Sequence, residues 1–482
     1  MARHKCPLEV PSTSVIAHKI AGVRRAATIA LACLLGGLLS LLVFNEGLTY
    51  DPAAWVVWAA ELPHRTMGLG SGPSWKPFPV LVTAPFALVS WNFGGNAWLV
   101  IVRTSCLVTT VLLWRMASRT VDSANRPWSA EPAALTAGLI AATIPWLNPS
   151  WLQFALAGAS EPVMMALLLC AVEAHLAQHR RVGVLLGVAA GLIRPEVWLM
   201  LAIYGLWLIR KDTLRAVPLL VVGAAVQLAG WLGIPWLAGS DPLQATHRAR
   251  VYVDQAVSVD EFLRRVLAEL SWPAWTLIAF GVVASFRIGG NLLRVFTAAG
   301  LGWLGVSIVM TEAGYSGIAR YAVPGLIILC ITAGAGAGFV VTLLPNWRRT
   351  ALTVAVALLA LTFVTQWPAL SNRVDRVAQI GRDGRAGLAV INRAGGAAHL
   401  LEKCGPMGTN WVYTPVLSWR AHVSLGNIGH RDVAPAILIL RGTRRGQFQP
   451  VPPAGTVSSE LLATKFPWQV RMFDGKLSCA TR

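Results

Sequence analysis

The side chains best suited to chemistry in this chain are a few charged and aromatic residues set between long apolar runs. Thr49-Tyr50-Asp51 follows the first run. A carboxylate just outside a membrane helix is placed to act as general base on a hydroxyl. Trp55, Trp58 and Glu61 follow at helical spacing, and Pro73-Ser74-Trp75-Lys76-Pro77 sets one lysine in a stiff proline frame. Further on stand Gly158-Ala159-Ser160-Glu161-Pro162, Arg194-Pro195-Glu196, and Ser240-Asp241-Pro242 with Thr246-His247-Arg248. The last group is Thr311-Glu312 with Tyr315, Arg320 and Tyr321. Arginines hold a phosphate by paired hydrogen bonds and offset charge on a leaving group. Indole faces pack on the C–H faces of sugar rings. These parts fit one reaction: a hydroxyl attacks C1 of a sugar, and a lipid phosphate leaves.

Each of these residues also has a plain structural use. Asp51 can cap a helix that starts at Pro52, and Glu161 can favour a helix dipole from the first turn. Arg194 and Glu196 can pair with each other or snorkel, although ionisable groups near membrane depth are candidates for function. His247 and Arg248 can be ordinary loop residues. Trp55 and Trp58 can belong to an aromatic belt, which explains many of the 21 tryptophans. Arg103 lies inside an apolar run and is assigned no role.

The elements that must position these residues follow from composition. Of 482 residues, 55% are hydrophobic and 13% charged, about half the charge of an ordinary soluble domain. Neither a single soluble core nor a disordered chain accounts for this, which leaves a polytopic membrane protein. The balance of 41 Lys and Arg against 22 Asp and Glu carries no nucleic-acid signature. It matches the basic loops of membrane proteins instead, and no nucleic-acid partner is expected.

Apolar runs near the ~20 residues a crossing needs predict an all-α bundle of about eleven transmembrane helices. They lie near 24–44, 95–114, 131–147, 160–178, 182–195, 196–210, 215–237, 272–288, 294–311, 319–344 and 350–368. The short run 77–91, broken by Pro77, Pro79 and Pro85, reads as a helix at the interface. With the N-terminus inside, the short inner segments collect Arg3, Lys5, Lys19, Arg24, Arg25, Arg115, Arg119, Arg126, Arg180, Arg181, Arg210, Lys211, Arg215, Arg287, Arg294, Arg348 and Arg349. The candidate chemical residues then share the outer face. Residues 1–23 form a cytoplasmic tail ahead of a signal anchor. Residues 24–369 form the membrane domain, with extracytoplasmic loops 45–94 and 238–271. Residues 370–482 form a small exported α/β domain with strand-like runs at Leu388–Ile391 and Ala436–Leu440. Cys404 and Cys479 share that domain and can form a disulfide or remain thiols. Trp411, Tyr413, Trp419 and Trp468 can form a glycan platform there or simply its core.

The acidic motif opening the first outer loop, the span count and the exported tail resemble the GT-C glycosyltransferases. Gly-Pro-Ser-Trp-Lys-Pro (72–77), Leu-Ile-Arg-Pro-Glu-Val-Trp (192–198) and Ser-Asp-Pro-Leu (240–243) look like the actinobacterial members that build mannan and arabinan envelope glycans. The resemblance implies an inverting transfer of mannose or arabinofuranose, from a polyprenyl-phosphate donor to an envelope glycan or lipid acceptor, at the plasma membrane. It makes Asp51 the expected base. Tyr50, Trp55, Trp75, Lys76, Glu161, Arg194, Glu196, His247, Arg248, Tyr315 and Arg320 become expected donor and acceptor contacts. No cofactor is expected. The chain lacks the adjacent second acid or DxD pair through which some relatives bind a metal, and Asp241 and Glu61 come nearest to supplying one. A transporter or flippase of a lipid-linked intermediate would also need many spans and buried ionisable residues, and is the main alternative. It would place them near the midplane between repeated halves, and no internal repeat is visible. A scaffold role is the third.

Overall fold

A computed structural model describes residues 13–45, 47–64, 67–122, 131–250, 257–343, 346, 348–429, 437–442, 448–449 and 459–473. Each of the eleven apolar runs is helical. Among the described residues, six helices are long and apolar enough to cross a membrane, or up to eight if each of two bent pairs is one span. The runs at 131–147, 182–195 and 196–210 carry α-helices of only 12 to 16 residues, short of a full crossing. The prolines of 77–91 give a helix at Pro77–Ala87 with Pro85 inside it.

Helix Val323–Leu343 is central and buried along most of its length. Its glycines let neighbours approach at backbone distance: a methyl group on Gly336 would stand 2.6 Å from Gly281 Cα, and one on Gly334 would collide with the Ala137 carbonyl. Small residues do this in helix packing where lipid replaces water and no hydrophobic force drives association. The first helix, by contrast, leaves Leu31, Leu34, Leu35, Leu38, Leu39 and Leu42 exposed, as an outer face bathed in lipid requires.

The two bent pairs turn at defined breaks. Asn148 caps Pro149–Ala157 by accepting from the Trp151 N–H. That helix ends at Gly158 in the left-handed region (φ 81°), and Glu161–Leu176 leaves at 103°. Carbonyls freed at the break need donors. Trp98 Nε1 serves Gly158 at 2.7 Å, and the buried Arg103 serves Ala155 and Leu156, both at 3.4 Å. Arg103 is thus a structural cap.

The tail departs from expectation in one element. Leu388–Ile391 is helical, the end of a single helix Arg348–Arg393 that continues across position 370 with Pro368 inside it. A four-residue apolar run fits either period; here Val390 and Ile391 pack against the strands of the tail. Beyond lies a mixed sheet of β1 (Met407–Thr409), β2 (Ile428–Gly429), β3 (Ile437–Gly442), β4 (Phe448–Gln449), β5 (Ser459–Lys465) and β6 (Trp468–Phe473). Its order is β2-β1-β3-β6-β5, with β4 on β3. β1 runs parallel to β2 and β3, while β3, β5 and β6 are antiparallel. Tyr413 and Trp468 pack in this domain's core with Val390 and Ile391. Cys404 is disulfide-bonded; Cys479 lies outside the described residues.

Candidate functional site

The helix Tyr50–Glu61 begins with Thr49 extended and without a side-chain cap, so Asp51 does not serve as the cap. Its carboxylate turns to Arg320, whose Nη1 donates to Asp51 Oδ2 at 2.5 Å. Arg320 stands in the short turn Ala319–Tyr321, just before the central helix. The same guanidinium grips Glu161 with two bonds, Nε to Oε1 at 2.5 Å and Nη2 to Oε2 at 3.0 Å. Such a fork fixes the orientation of both carboxylates.

Glu161 is fully buried and gathers two further cations. Lys76 Nζ and Arg194 Nη1 each lie 3.9 Å from Glu161 Oε1. Lys76 also donates to Ser160 at 3.0 Å and rides 5.2 Å above the Trp55 ring. Burial pushes its ammonium down to about 8, against the pull of the Glu161 carboxylate. Arg194 pairs with Glu196 at 3.5 Å and lies over the Tyr321 ring at 4.8 Å. Its Nη1 is buried and finds no hydrogen-bond acceptor among the described residues.

These groups open onto a cavity of about 940 Å³. Tyr50, Asp51, Trp75, Lys76, Arg194, Glu196, Arg248, Tyr315 and Arg320 line it, from segments far apart in sequence. Three expected contacts do not. Glu161 lies beneath the lining and organises it. Trp55 is fully buried against Trp98, so it is core and not part of an aromatic belt. His247 is exposed and bonds Asp241 at 2.5 Å. Among the described residues, no group of three His, Cys, Asp or Glu gathers to hold a metal.

The sequence reading missed several parts. Gln244 holds the first loop in place: its side chain accepts from the Trp75 N–H at 2.8 Å and donates to the Leu69 and Pro73 carbonyls, each at 2.9 Å. An apolar wall comes from Trp198, Leu228, Trp231 and Leu232. Trp231 sits in a π-helical turn, Ala229–Gly233, and anchors to the Gly191 carbonyl at 2.8 Å. π-turns recur at functional sites, but no sequence signal marks this one. Trp411 adds a contribution from the tail.

No protein-family model matches the chain, and no curated protein matches it in sequence. Solved structures share its fold. ArnT from Cupriavidus metallidurans bound to undecaprenyl phosphate superposes with a TM-score of 0.55 at 14% identity, covering 95% of this chain and 99% of that one. The same protein in its apo state gives 0.54 at 14% identity, over 96% and 100%. The chain therefore has an ArnT-like membrane fold.

Proposed function

We propose that the chain is a GT-C-type membrane glycosyltransferase. In this reading it moves mannose or arabinofuranose from a polyprenyl-phosphate carrier to an envelope glycan or lipid on the extracytoplasmic side. The observation that carries it is the pairing, in one cavity, of a carboxylate held by an arginine with two cations of which one has an unused buried donor. The apolar wall beside them suits a polyisoprenoid chain. The ArnT structure with undecaprenyl phosphate supports that class of lipid.

Asp51 takes the proton from the acceptor hydroxyl as its oxygen bonds to C1. The bond from C1 to the phosphate oxygen breaks, and polyprenyl phosphate leaves with the electron pair. Lys76 and Arg194 hold the charge that grows on that oxygen. Arg320 keeps the Asp51 carboxylate aimed, and attack opposite the departing phosphate inverts C1.

The test is transfer from radiolabelled polyprenyl-phosphate mannose and arabinofuranose by purified protein in lipid. Wild type should form product, and Asp51→Asn should lose at least ~10²-fold, the scale of a general base. Wild-type turnover by Asp51→Asn would remove the base. If no donor is consumed but labelled lipid crosses the bilayer, the transporter reading replaces this one.

A further inference from the structure

The tail hides its other tryptophans. Trp419 and Trp468 are 5% and 0% exposed, and Tyr413 is 8% exposed, whereas Trp411 is 42% exposed. Trp411 lines the cavity that holds Asp51. Its ring meets Tyr50 edge-on, with centroids 5.3 Å apart and planes at 88°. Its place is fixed from both sides. Asn410 Oδ1 accepts from the Val412 N–H at 3.0 Å, closing the turn that carries it, and Tyr413 donates to Asp383 at 2.7 Å. The tail itself is anchored where Trp419 Nε1 donates to the Trp91 carbonyl at 3.0 Å.

Tyr50 and Asp51 are consecutive at a helix start, so their side chains diverge by about 100°. Lys76 and Arg194 reach Asp51 from the Glu161 side, through Arg320. Tyr50, Asp51 and Trp411 line one cavity, and Trp411 packs on the residue next to Asp51, so an acceptor that brings a hydroxyl to Asp51 enters a space that Trp411 helps to shape. We infer that Trp411 is the acceptor-selecting residue of this site, and that the acceptor it takes is a saccharide whose C–H face stacks on the indole. This deepens the glycosyl-transfer reading and rests on it.

The experiment uses full-length protein in lipid, polyprenyl-phosphate mannose and arabinofuranose as donors, and octyl mannoside and octyl arabinofuranoside as acceptors. Trp411→Ala should raise the acceptor KM about tenfold, the scale of a lost aromatic stack, and leave the donor KM in place. Trp411→Phe should recover most of the loss. Trp411→Leu, which keeps apolar bulk without a ring face, should not. An unchanged acceptor KM in Trp411→Ala, or equal recovery by Leu and Phe, overturns the inference while the glycosyltransferase reading stands. Absence of transfer by wild type from either donor overturns that reading, and the inference with it.

Discussion

Lys76 carries the sharpest consequence of burial at the scale of single residues. Its ammonium titrates at about 8 instead of 10.5, so it is charged at pH 7 and largely neutral at pH 9. A neutral amine offsets no phosphate charge. The donor KM of wild type should rise through pH 8 to 9 by up to about tenfold per unit, and Lys76→Arg should stay flat over that range. Unfolding does not mimic this effect. With the folded value below the unfolded one, the unfolded chain binds more protons from about 8 to 10.5, so this residue's contribution to stability grows as pH rises there. Kinetics at each pH, with folding followed in parallel, separate the two. A flat wild-type profile would remove Lys76 from the phosphate contact. Asp51, Lys76, Arg194 and Arg320 were legible in the sequence because ionisable residues beside apolar runs are costly and stand out. Burial depth was not legible: nothing in the spacing distinguishes Glu161, beneath the site, from Glu196, which lines it. Trp231 and Trp411 were hidden among 21 tryptophans.

At the scale of elements, close helix packing through glycine is the feature most open to test. Gly334 faces the Ala137 carbonyl with no room for a side chain, whereas a Cβ on Gly302 would meet nothing within 4 Å. Gly334→Val should push Val323–Leu343 off Pro132–Thr143 and cost about 1–3 kcal/mol, as overpacking does. In detergent this reads as a lowered Tm with early loss of transfer, and Gly302→Val serves as the near-silent control. Equal Tm values for the two variants would mean that the contact does not limit stability. Helix positions were readable because long apolar runs have few alternatives in lipid. The bends were less so, since they depend on distant donors such as Trp98 and Arg103. The tail's short elements were read least well. Leu388–Ile391 is helical through contacts with strands that arrive later in the chain, and strands of two or three residues such as β1 and β2 carry no period to detect.

Across the whole molecule, the site and the basic helix ends lie at opposite poles. Glu161–Leu176 starts at the site and is followed by Arg180 and Arg181, while Val197–Asp212 starts beside Arg194 and ends at Arg210 and Lys211. The sequence expectation of an extracytoplasmic site asks for that polarity under the positive-inside rule. The tail closes the same pole, and its junction with the first loop contains a buried acid. Glu61, 6% exposed, ends the Asp51 helix. Burial pushes its carboxyl up to about 7, while hydrogen bonds from the tail's Ser424 and from the Gly68 backbone pull it down. One oxygen, Oε2, has no partner among the described residues. With the folded value raised from 4.5, this group's stabilisation is complete below about 4.5 and is lost as pH rises through about 7, because the folded junction must then hold a charge in a dry place. The effect amounts to at most about 3 kcal/mol. Protease cleavage of the tail from the membrane domain should therefore quicken between about pH 4.5 and 7 in wild type and level off above that. In Glu61→Gln, which keeps the hydrogen-bonding shape without the titration, the rate should not change with pH. Because the 67–76 loop carries both the Gly68 contact and Lys76, transfer should weaken over the same range in parallel with cleavage. If Glu61→Gln retains the full pH dependence of cleavage, this acid does not control the junction.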